Sequence, residues 1–246
     1  MGKKVGFVIP VANEEGSIAS FVAAITDALA ACDDKTHVLY LIMDNHSRDR
    51  TREIVEDLGT RDPRVRLVWF PESDGSVSCR LHGFKLALQE GCDYVVEMDS
   101  GFSHPPSLIP QILARLDDVN TDVVFMSRFM RGGGVENFPL HRRIVSWGGS
   151  LLANAWLGTR FSDATSGYQA FKSHVLRSLD LDGFLAKGGI YSTEMKYYCS
   201  GYRYAEMPFT YVGSTSAFRL KWVIEALRTL LKLPSHKRLV AKPPSA

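Results

Sequence analysis

Cysteine is scarce in this sequence of 246 residues, and its four cysteines (Cys32, Cys79, Cys92 and Cys199) form no CxxC pair. That pattern excludes a zinc ribbon and a disulfide framework, and it is typical of a reducing compartment. The sequence has no run of about 18 apolar residues, the length of a membrane span, and its first apolar stretch is too short for a signal peptide. We therefore predict a cytoplasmic protein that does not cross a bilayer.

An excess of charge of either sign is also absent. The 29 lysines and arginines face 27 aspartates and glutamates and leave a formal net charge of +2. Such a balance gives no overall positive potential that would attract a polyanion, so we predict no nucleic-acid partner. Apolar residues make up 45% of the chain, which is ordinary for a globular protein and excludes a disordered or fibrous one.

What the sequence does contain is an alternation of short apolar runs with segments of helical spacing. Runs such as Val5–Val11 and His37–Met43 predict buried strands, whereas Ser17–Cys32 carries apolar residues at helical intervals. This alternation predicts an α/β fold with a mostly parallel central sheet flanked by helices. The elements predicted in the less regular second half are a helix over Pro139–Gly158, a helix over Ile190–Ser200 and a strand over Arg203–Val212.

Polar residues follow three of these predicted strands. Asn13 and Glu14 come after the first strand, Asp44 after the second and Asp99 after the fourth. The carboxyl ends of parallel strands meet at one edge of a sheet, where such folds bind their ligands. Each of these residues alone could equally cap a helix, but their joint occurrence predicts a binding rim.

The sequence resembles the family 2 glycosyltransferases in the order of five motifs, which read VIPVANEEGSI, DNHSRDRT, EMDSGFSHPP, SRFMRGGGVENFPLHRR and DATSGYQAFK. Within that family it is most similar to the dolichyl- or polyprenyl-phosphate mannose synthase group, over residues 4–220. The resemblance implies a GT-A fold, a nucleotide-sugar donor with GDP-mannose as the default, and a polyprenyl or dolichyl phosphate as acceptor. It also implies an inverting transfer that yields a lipid-phosphate sugar.

The resemblance assigns a donor-binding role to the first motif, in which the matching residues are Pro10, Ala12, Asn13 and Glu14. They would lie against the nucleotide base and ribose, where the Glu14 carboxylate can accept hydrogen bonds. Asp44 would contact the base or ribose, although the second acid usual at this place is Asn45 here. Arg219 stands at the place of a lysine and would clamp the donor diphosphate, whereas Ser214 replaces an arginine of the same loop.

The acid-x-acid metal motif of the family falls at Asp99-Ser100-Gly101, so the second carboxylate is missing. Two carboxylates one residue apart can hold Mg²⁺ or Mn²⁺ against the donor pyrophosphate. One acid with waters and two phosphates can still hold Mg²⁺, because that ion keeps much of its hydration. The resemblance thus implies a divalent cation, Mg²⁺ or Mn²⁺, at Asp99, and Gly101 leaves the requirement open.

Cations and further acids of the second half complete the predicted catalytic residues. An ionised lipid phosphate needs positive charge beside it rather than a strong general base. The resemblance assigns that charge to Arg128 and Arg131. Asp163 would bind sugar hydroxyls, unless it caps its own turn, and Glu194 would face the active site. Gln169 stands where family members usually carry arginine or lysine, so one positive contact is missing.

The predicted domain boundary lies after residue 217. Residues 1–217 are predicted to form the GT-A domain, and residues 218–246 an amphipathic helix with a basic tail. Apolar residues of 218–233 share one helix face, which is typical of a helix on a bilayer surface. The same face could instead pack on the domain's own core. From Pro234 onward the tail is predicted to be disordered, and the sequence predicts no oligomeric state.

Two other functions fit the departures from the family pattern. The altered acids at 45 and 101 and the change at Ser214 would suit a glycosyltransferase with a small soluble acceptor. A non-catalytic nucleotide-sugar-binding subunit would also lose the second metal acid and two cations. The family acids and the arginine that would speak for an enzyme are retained at Glu14, Asp44, Asp99, Arg128 and Asp163. The first prediction is therefore a polyprenyl-phosphate mannosyltransferase at the membrane surface.

Overall fold

The computed structural model describes residues 2–32, 34–137, 140–213 and 220–240. The strands in these ranges are β1 (Lys3–Pro10), β2 (Lys35–Met43), β3 (Val65–Trp69), β4 (Tyr94–Glu97), β5 (Val123–Ser127), β6 (Gly134–Glu136), β7 (Gln169–Lys172), β8 (Tyr204–Pro208) and β9 (Thr210–Val212). The helices are α1 (Ile18–Leu29), α2 (Thr51–Arg61), α3 (Ser76–Gln89), α4 (Ile109–Asp117), α5 (Leu140–Leu157), α6 (Ser173–Arg177), α7 (Tyr191–Tyr198) and α8 (Leu220–Val240).

Seven strands form the central sheet in the order β3-β2-β1-β4-β7-β5-β8. Neighbouring strands are parallel except at β7, which runs antiparallel to β4 and to β5. β6 and β9 pair in parallel as a separate two-stranded sheet. The predicted mostly parallel sheet flanked by helices is therefore confirmed. β7 was not predicted, because it has only four residues. It also runs antiparallel to both neighbours, so it belongs to no parallel strand–helix–strand unit that the alternating pattern would indicate.

Apolar residues on the two faces of β1 supply two hydrophobic cores. Phe7 and Ile9 pack with Phe21 of α1 on one face of the sheet. Val8 packs with Phe84 of α3 on the other face. Because helices cover both faces, the strand reads as a continuous apolar run rather than an alternating one.

The strand order reverses at the junction of β1 and β4. β2 and β3 lie outward on one side of β1, and β4 lies on its other side. Open α/β sheets bind ligands at such a switch point, beyond the carboxyl ends of the strands. β1 ends at Pro10 and β4 ends at Glu97, close to Asp99. The fold therefore brings the loops after β1, β2 and β4 to one edge of the sheet.

One strand predicted in the second half differs in the structure. The predicted helices correspond to α5 and α7 and are confirmed. The predicted strand over Arg203–Val212 is instead two strands, β8 and β9, that belong to different sheets. Buried Phe209 separates them, and its N–H donates to the carbonyl of Ser127 at 3.0 Å.

Helix α8 continues through Pro234 to Val240, so the prediction of disorder from Pro234 onward is wrong over this range. Residues 241–246 lie outside the described residues. Proline lacks the N–H that would bond to the carbonyl of Leu230, four residues earlier. That carbonyl instead accepts the indole N–H of Trp156 from α5 at 3.1 Å. The bond from the neighbouring helix thus satisfies the group that the proline leaves free.

Candidate functional site

Two adjoining cavities open at the carboxyl edge of the sheet. The first, here called the Asp44 cavity, has a volume of about 460 Å³ and is lined by the predicted residues Pro10, Ala12, Glu14, Asp44 and Asp99. The second, the Arg128 cavity, has a volume of about 490 Å³. Ser76, Arg80, Asp99 and Tyr211 line both cavities and form the junction between them. The geometry therefore provides two ligand-sized spaces with one shared wall.

Asp44 forms a fixed acidic wall of its cavity. Its Oδ1 accepts the backbone N–H of His46 at 2.9 Å, and its Oδ2 lies 3.0 Å from Nδ1 of the exposed His46 ring. Cys79 of α3 packs against the same carboxylate, with its Sγ 3.8 Å from Oδ2. These contacts hold the carboxylate in place at the end of β2, where its remaining lone pairs can accept from N–H or hydroxyl groups of a ligand.

The first motif divides between structural and cavity-lining roles. Asn13 joins two loops, because its backbone N–H donates to Ser47 Oγ at 3.1 Å and its Oδ1 accepts the Arg48 N–H at 2.9 Å. It does not line the Asp44 cavity. Glu14 does line it, and its carboxylate accepts a hydrogen bond from the Ser17 hydroxyl. Asn13 therefore shapes the loop that presents Glu14.

A buried charge cluster at the junction was not predicted from the sequence. Arg80 of α3 places its Nε 2.8 Å from Oε1 of Glu97, and its Nη2 pairs with Oδ1 of Asp99. Burial raises the pKa of Glu97 to about 7, against the opposing effect of the Arg80 charge. The Oε2 atom of Glu97 accepts from Gln169 Nε2 at 2.8 Å and from the Tyr191 hydroxyl at 3.2 Å. Arg80 and Gln169 thus lie against the same buried carboxylate.

The sequence does carry a signal for this cluster. Arg80 occupies the helical series formed by Val77, Phe84 and Ala87, all of which are buried. A charged residue in an apolar series indicates a buried, paired charge. Glu97 gives the same signal, since it interrupts the apolar residues of β4.

His104 orients the backbone of Asp99. The Asp99 N–H donates to His104 Nδ1 at 2.9 Å, so this nitrogen acts as an acceptor and the ring is neutral. Burial lowers the pKa of His104 to about 4. The ring stacks on Tyr168 at a centroid distance of 4.8 Å. These contacts indicate that His104 has a structural role.

The donor set at Asp99 does not fit a divalent cation. Its carboxylate is paired with the Arg80 guanidinium, so a metal ion there would face a fixed positive charge. Gly101 has φ +78°, and a Cβ at this position would lie 2.8 Å from Oε1 of Glu14. Within the described ranges, no group of three or more histidine, cysteine, aspartate or glutamate side chains could hold a metal ion.

We expect Gly101→Asp to destabilise the protein rather than restore a metal site. Left-handed backbone strain of a non-glycine residue costs about 1–3 kcal/mol, and the new carboxylate would also be repelled by Glu14. Calorimetric unfolding should show a loss of this size, and Mn²⁺ titration should show no gain in affinity. Gly91→Asp is the matched control, because Gly91 has φ +72° and a Cβ added there would have no atom within 4 Å. An equal loss in both variants, or Mn²⁺ binding by Gly101→Asp, would contradict this account.

Arg128 presents a positive charge to the second cavity, and hydrogen bonds to the buried Asp163 hold its guanidinium in place. Its Nε donates to Asp163 Oδ2 at 2.7 Å and its Nη2 donates to Oδ1 at 2.9 Å. Burial opposes the ionisation of Asp163, but Arg128 and Lys196 hold the pKa of its carboxyl well below its usual range. Asp163 is fully buried and does not line the cavity. Its carboxylate therefore positions Arg128, and the structure does not place it against a sugar.

Besides Asn13 and Asp163, two further predicted residues do not line the cavities, and a third lies outside the described residues. Arg131 is exposed in the turn after β5 and lines neither cavity. Glu194 is fully buried and accepts from the backbone N–H groups of Leu185 and Ala186, both at 2.8 Å, and from the Tyr198 hydroxyl at 2.6 Å. This placement contradicts the expectation that Glu194 faces the site. Arg219 lies outside the described residues.

Comparison with known proteins gives a family, curated relatives and structural neighbours. The sequence profile described as Glycosyl transferase family 2 matches residues 7–180. An undecaprenyl-phosphate mannosyltransferase of Micrococcus luteus is 32% identical over 207 residues, which cover 83% of this chain and 82% of that protein. A dolichol-phosphate mannosyltransferase of Pyrococcus furiosus is 28% identical over 243 residues, which cover 94% of this chain and 63% of that protein.

Solved structures with the same fold include glucosyl-3-phosphoglycerate synthase from Mycobacterium tuberculosis in complex with Mn²⁺, UDP and glucosyl-3-phosphoglycerate. It superposes with a TM-score of 0.67 at 18% identity and covers 100% of this chain and 82% of its own. At this identity the likeness shows the fold, GT-A, and the Mn²⁺ belongs to that protein.

Proposed function

This chain belongs to glycosyl transferase family 2, and on that premise we propose that it transfers mannose from a nucleotide-sugar donor to a polyprenyl phosphate. The observation that carries the proposal is the pair of cavities joined at Arg80 and Asp99. One cavity has acidic walls suited to a nucleoside, and the other has a fixed guanidinium suited to a phosphate. The acceptor class comes from the relatives, which are named undecaprenyl-phosphate mannosyltransferase, polyprenol monophosphomannose synthase and dolichol-phosphate mannosyltransferase.

The donor would occupy the Asp44 cavity. Asp44 and Glu14 would accept hydrogen bonds from base N–H groups or ribose hydroxyls, and the diphosphate would reach the junction at Arg80. GDP-mannose is the proposed donor, because the curated relatives are mannosyltransferases. The divalent cation that the resemblance implies is left out of the proposed transfer, since the residues at Asp99 do not fit it.

The transfer would run as a single displacement at the anomeric carbon of the sugar. An oxygen of the acceptor phosphate forms the new C–O bond while the bond to the donor diphosphate breaks, and the nucleoside diphosphate leaves with the electron pair. The acceptor phosphate is already ionised near neutral pH, so no general base has to remove a proton. Arg128, oriented by Asp163, would hold the acceptor anion in the second cavity.

A membrane-facing surface would bring the lipid acceptor to this cavity. The exposed apolar residues, here called the α5–α8 face, are Leu140, Ile144, Val145, Trp147, Leu151, Leu152 and Trp156 of α5 and Ile224, Leu227 and Leu231 of α8. Ser146 of α5 lines the Arg128 cavity, so the face borders its mouth. Within the described residues, no helix combines the length and apolar character needed to cross a bilayer.

We propose a lipid bilayer surface as the occupant of the α5–α8 face. Basic residues Arg143, Arg228 and Lys232 are exposed on the same two helices and suit anionic headgroups. The sequence allowed either this contact or packing on the domain's own core for residues 218–233. Leu230 and Leu233 of α8 are buried in the core, whereas α5 carries most of the exposed apolar side chains. In this proposal residues 1–217 form the catalytic domain and residues 218–246 extend its membrane-facing side.

The proposed function is tested by supplying labelled GDP-mannose and polyprenyl phosphate in vesicles to the full chain. The expected result is label in an organic-phase product with the mass of a polyprenyl-phosphate hexose. A parallel reaction offers 3-phosphoglycerate as a soluble acceptor. Label transferred only to the soluble acceptor, or GDP-mannose bound without transfer to either acceptor, would overturn the assignment.

Asp44→Asn is expected to weaken binding of the donor nucleotide at least tenfold. A hydrogen bond to a charged group contributes about 1.5–3 kcal/mol, and about 1.4 kcal/mol corresponds to a factor of ten. Isothermal titration with GDP and with UDP measures the effect. Asp62→Asn is the control, since Asp62 pairs with Arg64 and does not line the Asp44 cavity. Unchanged affinity of Asp44→Asn for both nucleotides would show that the nucleoside binds elsewhere.

A further inference from the structure

We propose that the guanidinium of Arg80, and not a divalent cation, binds the diphosphate of the donor in this protein. The inference rests on the proposed function for its ligand, a nucleoside diphosphate. It concerns a residue that lies outside all five of the family motifs. Four observations at the junction of the two cavities lead to it.

The position of Arg80 is the first observation. Its side chain lines both cavities, so it lies between the acidic nucleoside space and the Arg128 cavity. A donor whose nucleoside fills the first cavity and whose sugar points to the second would bring its diphosphate to this junction. Arg80 therefore stands where the leaving group has to be stabilised.

The second observation is that Arg80 is held rigidly. Glu97 lies 2.8 Å from its Nε, and Glu97 is itself fixed by Gln169 and Tyr191. The Tyr191 ring lies 6.0 Å from the Arg80 guanidinium carbon. A guanidinium has five N–H donors in a fixed fork, which matches phosphate oxygens. Nη2 of Arg80 pairs with Asp99, whereas Nε, although 2.8 Å from Glu97 Oε1, is buried without a hydrogen bond. The two carboxylates therefore do not satisfy all five donors of the guanidinium, and the side chain has N–H groups to offer a phosphate.

The third observation is that Asp99 acts on Arg80. In the described structure Asp99 Oδ1 pairs with Nη2 of Arg80, although Asp99 is the residue that would otherwise hold a metal ion. A carboxylate and a diphosphate are both anions, so they compete for the same guanidinium. When the diphosphate binds, Asp99 would release Nη2 of Arg80 to a phosphate oxygen. No metal ion is then needed between the Asp99 carboxylate and the diphosphate.

The fourth observation is that the backbone and the nearest side chain both disfavour an acid at position 101. Gly101 has a left-handed backbone, and the Glu14 carboxylate occupies the space beside its Cα. The loop that would carry a second metal ligand is thus shaped around the side chain of Glu14.

The two accounts of Asp99 predict opposite results for Asp99→Asn. If Asp99 held a metal ion that binds the diphosphate, the variant would lose affinity for GDP and UDP. If Asp99 competes with the diphosphate for Arg80, the variant keeps its affinity or gains up to tenfold. The measurement is isothermal titration of the full chain with GDP and UDP in excess EDTA and again in Mn²⁺, with GMP and UMP as probes that lack the second phosphate.

For the unaltered protein we expect dissociation constants for the diphosphates that differ less than threefold between EDTA and Mn²⁺. Arg80→Gln should weaken diphosphate binding at least tenfold and monophosphate binding much less, and Arg80→Lys should fall between. Because Arg80→Gln leaves Glu97 buried without its partner, the double variant Arg80→Gln/Glu97→Gln is measured beside it. Lys85→Gln, on the same helix but paired with Asp182, is the control and should bind as the unaltered protein does.

The inference would be overturned if diphosphate binding required Mn²⁺ or if Asp99→Asn abolished it. It would also be overturned if the protein bound neither GDP nor UDP. Its failure can be told from failure of the proposed function. Mannose transfer to polyprenyl phosphate together with Mn²⁺-dependent nucleotide binding contradicts the inference alone. Arg80-dependent nucleotide binding without transfer to the lipid contradicts the proposed acceptor alone.

Discussion

Asp163→Asn is expected to lower turnover by about 10²–10³-fold and to destabilise the fold by about 3 kcal/mol. The substitution breaks a buried two-point ion pair and leaves Arg128 without its charged partner, and breaking such a pair costs about 3–5 kcal/mol. Turnover should fall because Arg128, which we propose to hold the acceptor phosphate, loses its fixed orientation, and loss of one such oriented donor costs about 10²–10³ in rate. Calorimetry and the vesicle transfer assay measure the two effects.

A matched control separates the lost orientation from simple destabilisation. Asp122 makes the corresponding two-point contact with Arg203, whose Nε and Nη2 each donate to it at 2.8 Å, at the opposite end of β5. Asp122→Asn should lower stability and leave turnover per folded molecule unchanged. If both variants lose turnover in proportion to stability, Asp163 has no positioning role.

The stability difference between Asp163→Asn and the unaltered protein should depend on pH in a defined direction. The pKa of Asp163 is lowered in the folded protein, so its stabilising effect is fully present above the unfolded pKa of about 3.9. This stabilising effect is lost as the pH falls further, toward the pKa of Asp163 in the folded protein. The two unfolding free energies should therefore converge below about pH 4.

The double variant Trp147→Glu/Leu151→Glu is expected to reduce binding to anionic vesicles at least a hundredfold. Trp147 and Leu151 are 57% and 59% exposed on α5, so their replacement leaves the core intact. Burial of one large apolar side chain is worth about 1.5–3 kcal/mol, and two such losses give at least that factor. Vesicle sedimentation gives the binding constant directly.

Activity should follow the location of the acceptor. The double variant should lose transfer to long-chain polyprenyl phosphate in vesicles and keep transfer to a short-chain, water-soluble polyprenyl phosphate, because in our proposal the α5–α8 face binds the membrane and not the reacting groups. Val119→Glu is the control, since Val119 is 71% exposed but lies outside α5 and α8. Equal vesicle binding by the double variant and the control would exclude the α5–α8 face as the membrane contact.

The first half of the fold could be predicted because each of its strands is a short apolar run followed by an amphipathic helix. The second half could not be predicted fully, because its pairing depends on distant residues. β7 has four residues and no helical crossover, and it joins the sheet only through β4 and β5. Pro234 predicts a helix end because it lacks a backbone N–H. In the structure the indole N–H of Trp156 satisfies the carbonyl of Leu230 that this N–H would have bonded, and the helix continues.

The acids of the site could be predicted from their places after strands, since strand ends converge in a parallel sheet. Asp44, Glu14 and Asp99 do meet in one cavity. Arg80 was missed because helix α3 carries no family motif, although its place in an apolar series marks it as buried. Glu194 was misplaced because helical periodicity does not tell which side of α7 faces a cavity and which holds the loop at Leu185.

The most direct test of the account is a crystal structure of the full chain with GDP bound in the presence of EDTA. The account predicts the nucleoside against Asp44 and Glu14 and both phosphates at the junction, with an oxygen within hydrogen-bond distance of Arg80. A nucleotide bound in another cavity, such as the one of about 440 Å³ beside Glu225 and Arg228 of α8, would contradict it. So would phosphates that make no contact with Arg80.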